Sequence, residues 1–274
     1  MINLFLCGND RMFDGFLIST LSIAKHTDEA LNVILLTMNR TEQDARFVAI
    51  NDEQAAVIEK ALQKYNKDSK VKVINCDELF KEQFEKGKNL TTHYTPYIFL
   101  RLLVDLIPEM PDKALYLDTD IVAYQDIKEF YNMDIGDYEL TASLDYLGRN
   151  AINPKYINSG VLIMNIKKIR ETGSFIKARE MCKTKKMMLP DQTAIYKCCT
   201  ILRVPDKYNE QKRRRKDTVL RHFSMQLHPF LPCNIKPWHI EKLHDIYKIY
   251  DLDDVLEEYR NIKYEAQDNG IIKF

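Results

Sequence analysis

The stretch ALYLDTDIVAY, residues 114–124, runs four apolar residues straight into two acids. Ala114, Leu115, Tyr116 and Leu117 read as the interior of a sheet, and Ile121 and Val122 resume the apolar run after Asp118 and Asp120. Side chains alternate along an extended chain, so residues two apart share a face and these carboxylates converge. Two acids that close repel each other unless positive charge lies between them. In open α/β folds, ligands gather beyond the carboxyl ends of parallel strands. A divalent cation there would neutralise the pair and leave positions open for a phosphate-bearing ligand.

Working back towards the N-terminus, INLFL (2–6), LNVILLT (31–37) and VKVI (71–74) are short apolar runs with strand character. Between them, Phe13, Phe16, Leu17, Thr20, Leu21 and Ala24 recur at helical spacing. Asn51 and Asp52 read as the cap of a helix with Ile58, Ala61, Leu62 and Tyr65 on one stripe. A third helix runs through Phe99, Leu102, Leu103 and Leu106 and ends near Pro108. Strand and helix alternating this way predict a parallel sheet covered by helices.

Beyond the acids the pattern is more mixed. ELTASL (139–144), GVLIMNI (160–166) and TVLRHF (218–223) read as strands, with a helical stretch through Ile169, Phe175 and Met181. The tail from 241 to 259 has a broken stripe of Leu243, Ile246, Tyr247, Tyr250 and Leu256 and is expected to be helical. No linker rich in Gly, Pro or Ser interrupts the chain. The expected organisation is one α/β domain over residues 1–240 with a C-terminal helical extension, 241–274.

Composition narrows the function. The 274 residues are 45% hydrophobic and 29% charged, as in an ordinary soluble globular protein. Basic and acidic residues both number 40, so the field that general nucleic-acid binding needs is missing. One basic run, 212–216 (KRRRK), reads as a solvated loop, or as a device that steers an anionic acceptor or leans on a membrane surface. The six cysteines form no C-x-x-C pair, which argues for reduced thiols rather than zinc or disulfides. The opening residues lack a basic leader and no run of 18 apolar residues occurs, so a cytoplasmic location is expected, with the inner face of a membrane as its variant.

Two enzyme classes place D-x-D after a strand: nucleotide-sugar glycosyltransferases and haloacid-dehalogenase-like phosphatases. DTDIV (118–122) suits both. In the phosphatases the first acid, here Asp118, would be the nucleophile, and the pair usually stands near the chain start. Here 117 residues organised as an α/β unit precede it, which favours the transferase. A nucleotide-sugar binding protein without turnover is the third reading.

Four further blocks carry a family resemblance. YTPYIFLRLLVDLIPEMPDKALYLDTDIVAYQDIKEFY (94–131), YINSGVLIMNI (156–166), LPDQTAI (189–195), and HF (222–223) with KPWH (236–239) together resemble glycosyltransferase family 8. The resemblance implies the GT-A fold, a UDP-sugar donor, Mn²⁺ with Mg²⁺ as the alternative, and retention at the anomeric carbon. It implies Asp118, Asp120 and His222 as metal ligands, although the unusually long insert before KPWH leaves His228 as a rival to His222. Imidazole with two carboxylates suits Mn²⁺ better than Mg²⁺. The same resemblance assigns Lys236 to the diphosphate, Arg101 and Thr119 to the donor, and Asp145 and Asn158 to sugar hydroxyls. Asp191 and Gln192 are placed near the reacting carbon, and Pro190-Asp191 also reads as a helix start. At the N-terminus the family shows D-x-N-Y around uridine. Here Asp10 and Phe13 match the acid and the aromatic, while Met12 replaces the Asn. The expected partners are a UDP-hexose and a glycan or lipid-linked acceptor.

Overall fold

The computed structural model describes residues 1–90, 95–227, 232–246 and 248–272. Its first 117 residues alternate as the apolar periodicity dictates. Strand β1 (Ile2–Cys7) leads through a 3-10 turn (Asp10–Met12) into α1 (Phe13–Ala24), then β2 (Leu31–Thr37), α2 (Asp52–Gln63) and β3 (Lys70–Asn75). A short helix α3 (Asp77–Phe84) and a 3-10 helix (Pro96–Leu103) precede β4 (Lys113–Leu117). Asn51 caps α2 as expected: its side chain accepts from Gln54 N, and the Gln54 side chain returns to Asn51 N.

Next come β5 (Ile121–Ala123), α4 (Lys128–Tyr131), β6 (Leu140–Ala142), α5 (Gly148–Ala151) and β7 (Val161–Asn165). Helices α6 (Ile166–Thr172), α7 (Ser174–Thr184) and α8 (Pro190–Cys198) follow, then β8 (Ile201–Arg203) and β9 (Leu220–His222). A small hairpin joins β10 (Gln226–Leu227) to β11 (Pro232–Cys233), and α9 (Ile240–Asp245) and α10 (Asp253–Asp268) complete the described chain.

The central sheet has seven strands in the order β3-β2-β1-β4-β7-β6-β8. The first four are parallel, and β7 runs antiparallel to both β4 and β6, so the sheet is mixed. Alternation along the strands divides the core in two. Leu4, Leu6, Leu115, Leu117 and Ile163 pack towards α1, α2 and α10. Phe5, Ala114, Tyr116, Leu162 and Met164 pack towards the 3-10 helix, α6, α7 and α8. Each fully buried Leu or Phe contributes about 1.5–3 kcal/mol of transfer free energy, so the floor under the acid pair is well anchored.

The sheet order reverses between β1 and β4, the place where open α/β sheets leave a crevice. Asp118 and Asp120 stand there. A separate antiparallel ribbon then pairs β5 with β9 and puts Ile121 opposite His222. That register carries the imidazole to the acids across a gap of about 100 residues in sequence.

Three expectations need adjusting. The stretch through Ile169, Phe175 and Met181 is two helices, because Gly173 turns left-handed at φ 64° and closes α6. The segment through Phe99 to Leu106 is 3-10 over Pro96–Leu103 rather than a full α-helix. The tail is broken at Ile246 and resumes at Asp253; Tyr247 and His228 lie outside the described residues. Helix α10 buries Val255, Leu256, Tyr259, Ile262 and Ala266 in the same core that α1 and α2 line. Among the described residues no helix is long and apolar enough to cross a membrane. The described cysteines Cys7, Cys76, Cys182, Cys198 and Cys199 are free thiols.

Candidate active site

At the end of β4 the chain leaves the sheet, and Asp118 N–H donates to Gly160 O at 2.8 Å. Asp118 Oδ1 accepts from Arg101 Nη2 at 2.8 Å and from the Tyr116 hydroxyl. Its Oδ2 faces His222 Nε2 at 3.7 Å, and Asp120 Oδ1 lies 3.2 Å from the same nitrogen. Asp118, Asp120 and His222 each offer one ligand atom, and the three atoms lie within 4.8 Å of one another.

Gly160 makes this approach possible. A Cβ there would stand 2.4 Å from His222 Cε1 and 2.9 Å from Asp118 Oδ2, closer than real contacts allow. The Asn158-Ser159-Gly160 turn therefore closes one side of the cluster because its last residue has no side chain.

The imidazole is held from behind. His222 Nδ1 is 3.1 Å from Asn209 Oδ1, an acceptor, so Nδ1 donates to the amide oxygen and Nε2 is the nitrogen turned to the carboxylates. Asn209 Nδ2 donates to Asn158 Oδ1 at 2.8 Å, and Asn158 Nδ2 donates to Asp145 Oδ2 at 2.9 Å. A chain of amides thus ties the imidazole to the acid after β6. Metal-binding histidines characteristically rest on such a partner. The donor set fits a divalent cation that accepts nitrogen and oxygen together.

Charge follows the same plan. Burial alone would raise the Asp120 carboxyl, but His222 and Lys236 overcome it and hold the group well below the carboxylate range. Burial depresses His222, and the attraction of Asp120 and Asp118 outweighs it, so its pKa is raised. Lys236 Nζ donates to Asp120 Oδ2 and, at 3.1 Å, to Phe223 O.

Arg101 links this cluster to a second acid. Its guanidinium lies 4.2 Å over the Tyr116 ring, donates to Ser159 O at 2.8 Å and approaches Asp191 Oδ2 with Nε at 3.4 Å. Burial raises the Asp191 carboxyl, opposed by Arg101. Gln192 spends its carbonyl on Ser159 N–H at 2.9 Å and turns its amide to Asp145 Oδ2 at 3.3 Å. Asp191 and Gln192 also open α8, with Pro190 at its start.

The structure therefore brings together Arg101, Asp118, Asp120, Asp145, Asn158, Asp191, Gln192, His222 and Lys236. The N-terminal candidates are arranged differently. Phe13 is fully buried as the first residue of α1 and shows no face on which a base would stack. Asp10 is half-buried, and its Oδ1 has no partner. The Thr119 hydroxyl turns to Met12 Sδ at 3.8 Å. Sequence reading missed Tyr116, Ser159 and Asn209. Tyr116 was counted only as an apolar strand residue. Asn209 follows a 3-10 turn (Asp206–Tyr208) and carries no motif of its own.

The family model described as glycosyl transferase family 8 matches residues 3–242. The chain belongs to glycosyltransferase family 8. This sets aside the phosphatase reading of Asp118, whose Oδ1 is in any case already engaged by two donors. Among curated relatives, glycosyltransferase GlyA of Streptococcus pneumoniae serotype 4 is 35% identical over 109 residues, covering 39% of this chain and 14% of that protein. A putative glycosyltransferase of Haemophilus influenzae is 26% identical over 171 residues, covering 59% of this chain and 47% of that one. The chain thus spans less than half the length of either relative. Among solved structures, the galactosyltransferase LgtC, in complex with donor and acceptor sugar analogs, superposes with a TM-score of 0.66 at 16% identity, over 95% of this chain and 96% of that one. The bifunctional glycosyltransferase WbbM gives 0.69 at 16% identity, over 97% and 50%. GlyE of Streptococcus pneumoniae gives 0.60 at 18%, over 94% and 63%. These likenesses identify the GT-A fold.

Proposed function

We propose that this family 8 glycosyltransferase is a metal-dependent, retaining hexosyltransferase. It moves glucose or galactose from a UDP-sugar to a hydroxyl of a glycan or lipooligosaccharide acceptor. The observation that carries the reading is the convergence of Asp118, Asp120 and His222, with Nδ1 of the imidazole fixed by Asn209 and Nε2 aimed inward.

Asp118, Asp120 and His222 would hold Mn²⁺, or Mg²⁺ in its place. When bound, the ion supplies Lewis-acid stabilisation to the departing diphosphate. Lys236, already beside Asp120, adds an ammonium where negative charge grows on the leaving UDP. Asp145 and Asn158 offer paired acceptors and donors to sugar hydroxyls. Arg101 holds Asp118 and Asp191 at fixed separation. Asp10 and Thr119 would serve the donor, and the unpaired Asp10 Oδ1 is suited to accept from a base or ribose donor.

Gln192 has its carbonyl taken by Ser159, and Asp191 is buried with its Oδ2 against Arg101, so a covalent route would have to use Asp191, and a glycosyl adduct trapped there would displace the front-face reading taken from the family resemblance. Retention then follows from attack by the acceptor hydroxyl on the face that UDP leaves, through an oxocarbenium-like sugar. Residues 1–240 form the catalytic domain in this reading, 241–274 are its extension, and α10 of that extension packs on the α1–α2 face.

Measuring UDP release from UDP-glucose and UDP-galactose with and without Mn²⁺ tests the proposal. Metal-dependent release from at least one donor is expected. Absence of release from every UDP-sugar, acceptor mixtures included, would overturn it.

A further inference from the structure

Helix α1 carries a single charged residue, Asp14, and every other residue of the helix is buried. Asp14 turns that charge to the C-terminal segment. Lys263 Nζ on α10 donates to Asp14 Oδ2 at 2.8 Å and to the Tyr259 hydroxyl at 3.2 Å. The Lys263 and Asp14 side chains are only 21% and 18% exposed. Other pairs tie α10 to its neighbours at the rim, such as Lys60–Glu265, whose side chains are 74% and 62% exposed. Pairs open to water in this way contribute little. The adhesion of α10 is already supplied by Val255, Leu256, Tyr259, Ile262 and Ala266. A buried ion pair adds little net stability, because desolvation offsets attraction, and its better attested use is to select one register.

The register matters because of what α1 touches next. Gly15 lies against the Trp238 ring, too close for a Cβ. Trp238 belongs to a turn that closes on itself. His239 N–H donates to Lys236 O at 2.9 Å, and Lys236 N–H points back at His239 Nδ1 at 3.4 Å. The Trp238 and His239 rings meet edge to face, with centroids 5.9 Å apart. Burial, Lys242 and Lys236 lower the His239 pKa, which keeps its ring able to accept, and the Asp14 charge opposes them. Asp14 therefore acts on this turn as well as on α10. From the turn, Lys236 Nζ reaches Asp120 Oδ2 and Phe223 O.

We propose that Lys263 is a positioning residue for Lys236. It fixes Asp14, hence the seating of α1 against Trp238, and so the place from which the Lys236 ammonium acts. The inference rests on the role proposed above for Lys236 beside the departing diphosphate. It gives α10 a part in turnover that its packing alone does not require.

The experiment is a double-mutant cycle between Lys263→Met, which keeps the stem and removes the charge, and Lys236→Met. UDP affinity is read by calorimetry with Mn²⁺ present, and kcat by UDP release from the donor that the protein hydrolyses. Lys263→Met is expected to lower kcat and to weaken UDP binding, each about tenfold, as a small displacement of a group acting on the leaving UDP would. In the Lys236→Met background the same change should have no further effect. Lys263→Arg, which keeps a charged donor, should recover most of the loss. Should Lys263→Met fold poorly because the Asp14 carboxylate is left unpaired, the double variant Asp14→Leu, Lys263→Met removes both charges and stands in for it in the cycle. Losses that multiply when the two sites are combined overturn the proposal, as do full kcat and UDP affinity in Lys263→Met, and either result leaves the role of Lys236 standing. Unchanged kcat and UDP affinity in Lys236→Met overturn that role, and this inference with it. Absence of UDP release from the unmodified protein overturns the transfer reaction itself.

Discussion

Beneath Asp118 and Asp120 lies β4, whose Ala114, Leu115 and Leu117 are fully buried and whose position follows from apolar alternation. Beside them lies a wall of amides, Asn158, Asn209 and Gln192, drawn from three separate segments: Asn209 donates to Asn158, and Asn158 and Gln192 both donate to Asp145 Oδ2. The floor is non-directional and sensitive to volume. The wall is directional, buried and sensitive to the identity of single atoms. The comparison teaches that stability and the geometry of the Asp118–Asp120–His222 cluster are supplied by different parts of the site and should separate under mutation.

The largest effect expected is on the acids themselves. Asp120→Asn removes one ligand and the anion that neutralises Lys236, and transfer should fall about a thousandfold or more, roughly 4 kcal/mol of transition-state stabilisation. Calorimetry with Mn²⁺ and UDP should show uptake lost while the thermal midpoint is kept. Retained uptake would mean that the acids serve the fold alone.

On the floor, Leu115→Ala should cost about 2–5 kcal/mol of stability by denaturant titration. At temperatures where the variant stays folded, its Mn²⁺ affinity should match that of the parent. A matching loss of metal affinity would show that floor and wall are not separable.

The wall gives the reverse pattern. Asn209→Leu removes the acceptor that fixes the His222 tautomer and should weaken Mn²⁺ binding about 10–100-fold. Its readout is metal titration rather than activity, and Asn209→Asp, which keeps an oxygen acceptor, should recover part of the loss. Unchanged affinity in the leucine variant would break the comparison.

The smallest effect lies away from the site. Glu139 is buried at the edge of β6 and accepts from Thr200 N–H at 2.6 Å, from Thr200 Oγ1 at 3.1 Å and from Thr172 Oγ1. Burial would raise its pKa, but these hydrogen bonds prevail and lower it from 4.5. A depressed carboxylate adds stability above its unfolded pKa and loses it as pH falls through the folded value. Glu139→Gln should therefore be less stable by about 1 kcal/mol at neutral pH, with the gap narrowing as pH falls below the 4.5 reference. A gap that does not change with pH would assign Glu139 a purely steric role.

The floor was legible in the sequence because periodicity is a local signal. Strands β1 to β4, helices α1 and α2 and the Asn51 cap all follow from it. Helix α3 was missed although Phe80 and Phe84 stand four apart, because charged residues surround them over only eight positions. Gly173 did not mark itself as a helix end, since its left-handed turn is visible only in the backbone. Strand β8 (Ile201–Arg203) is three residues long and lacks any alternation to read. The acids, imidazole and lysine were found by motif. Asn209 was not, because its role comes from the β5–β9 register, which pairs segments about 100 residues apart. Phe13 matches the aromatic of the family's D-x-N-Y around uridine, and its ring is fully buried in the core.

Gly15 in α1 has no room for a methyl: a Cβ would stand 2.7 Å from Thr119 O and 3.0 Å from Trp238 Cζ3. The first helix, the turn between the two acids and the segment carrying Lys236 are therefore in contact at a single point. A bulkier residue at 15 would wedge apart parts drawn from both ends of the chain. The protein would then keep its sheet and misalign its cations, so loss of turnover on such a change would precede any sign of unfolding.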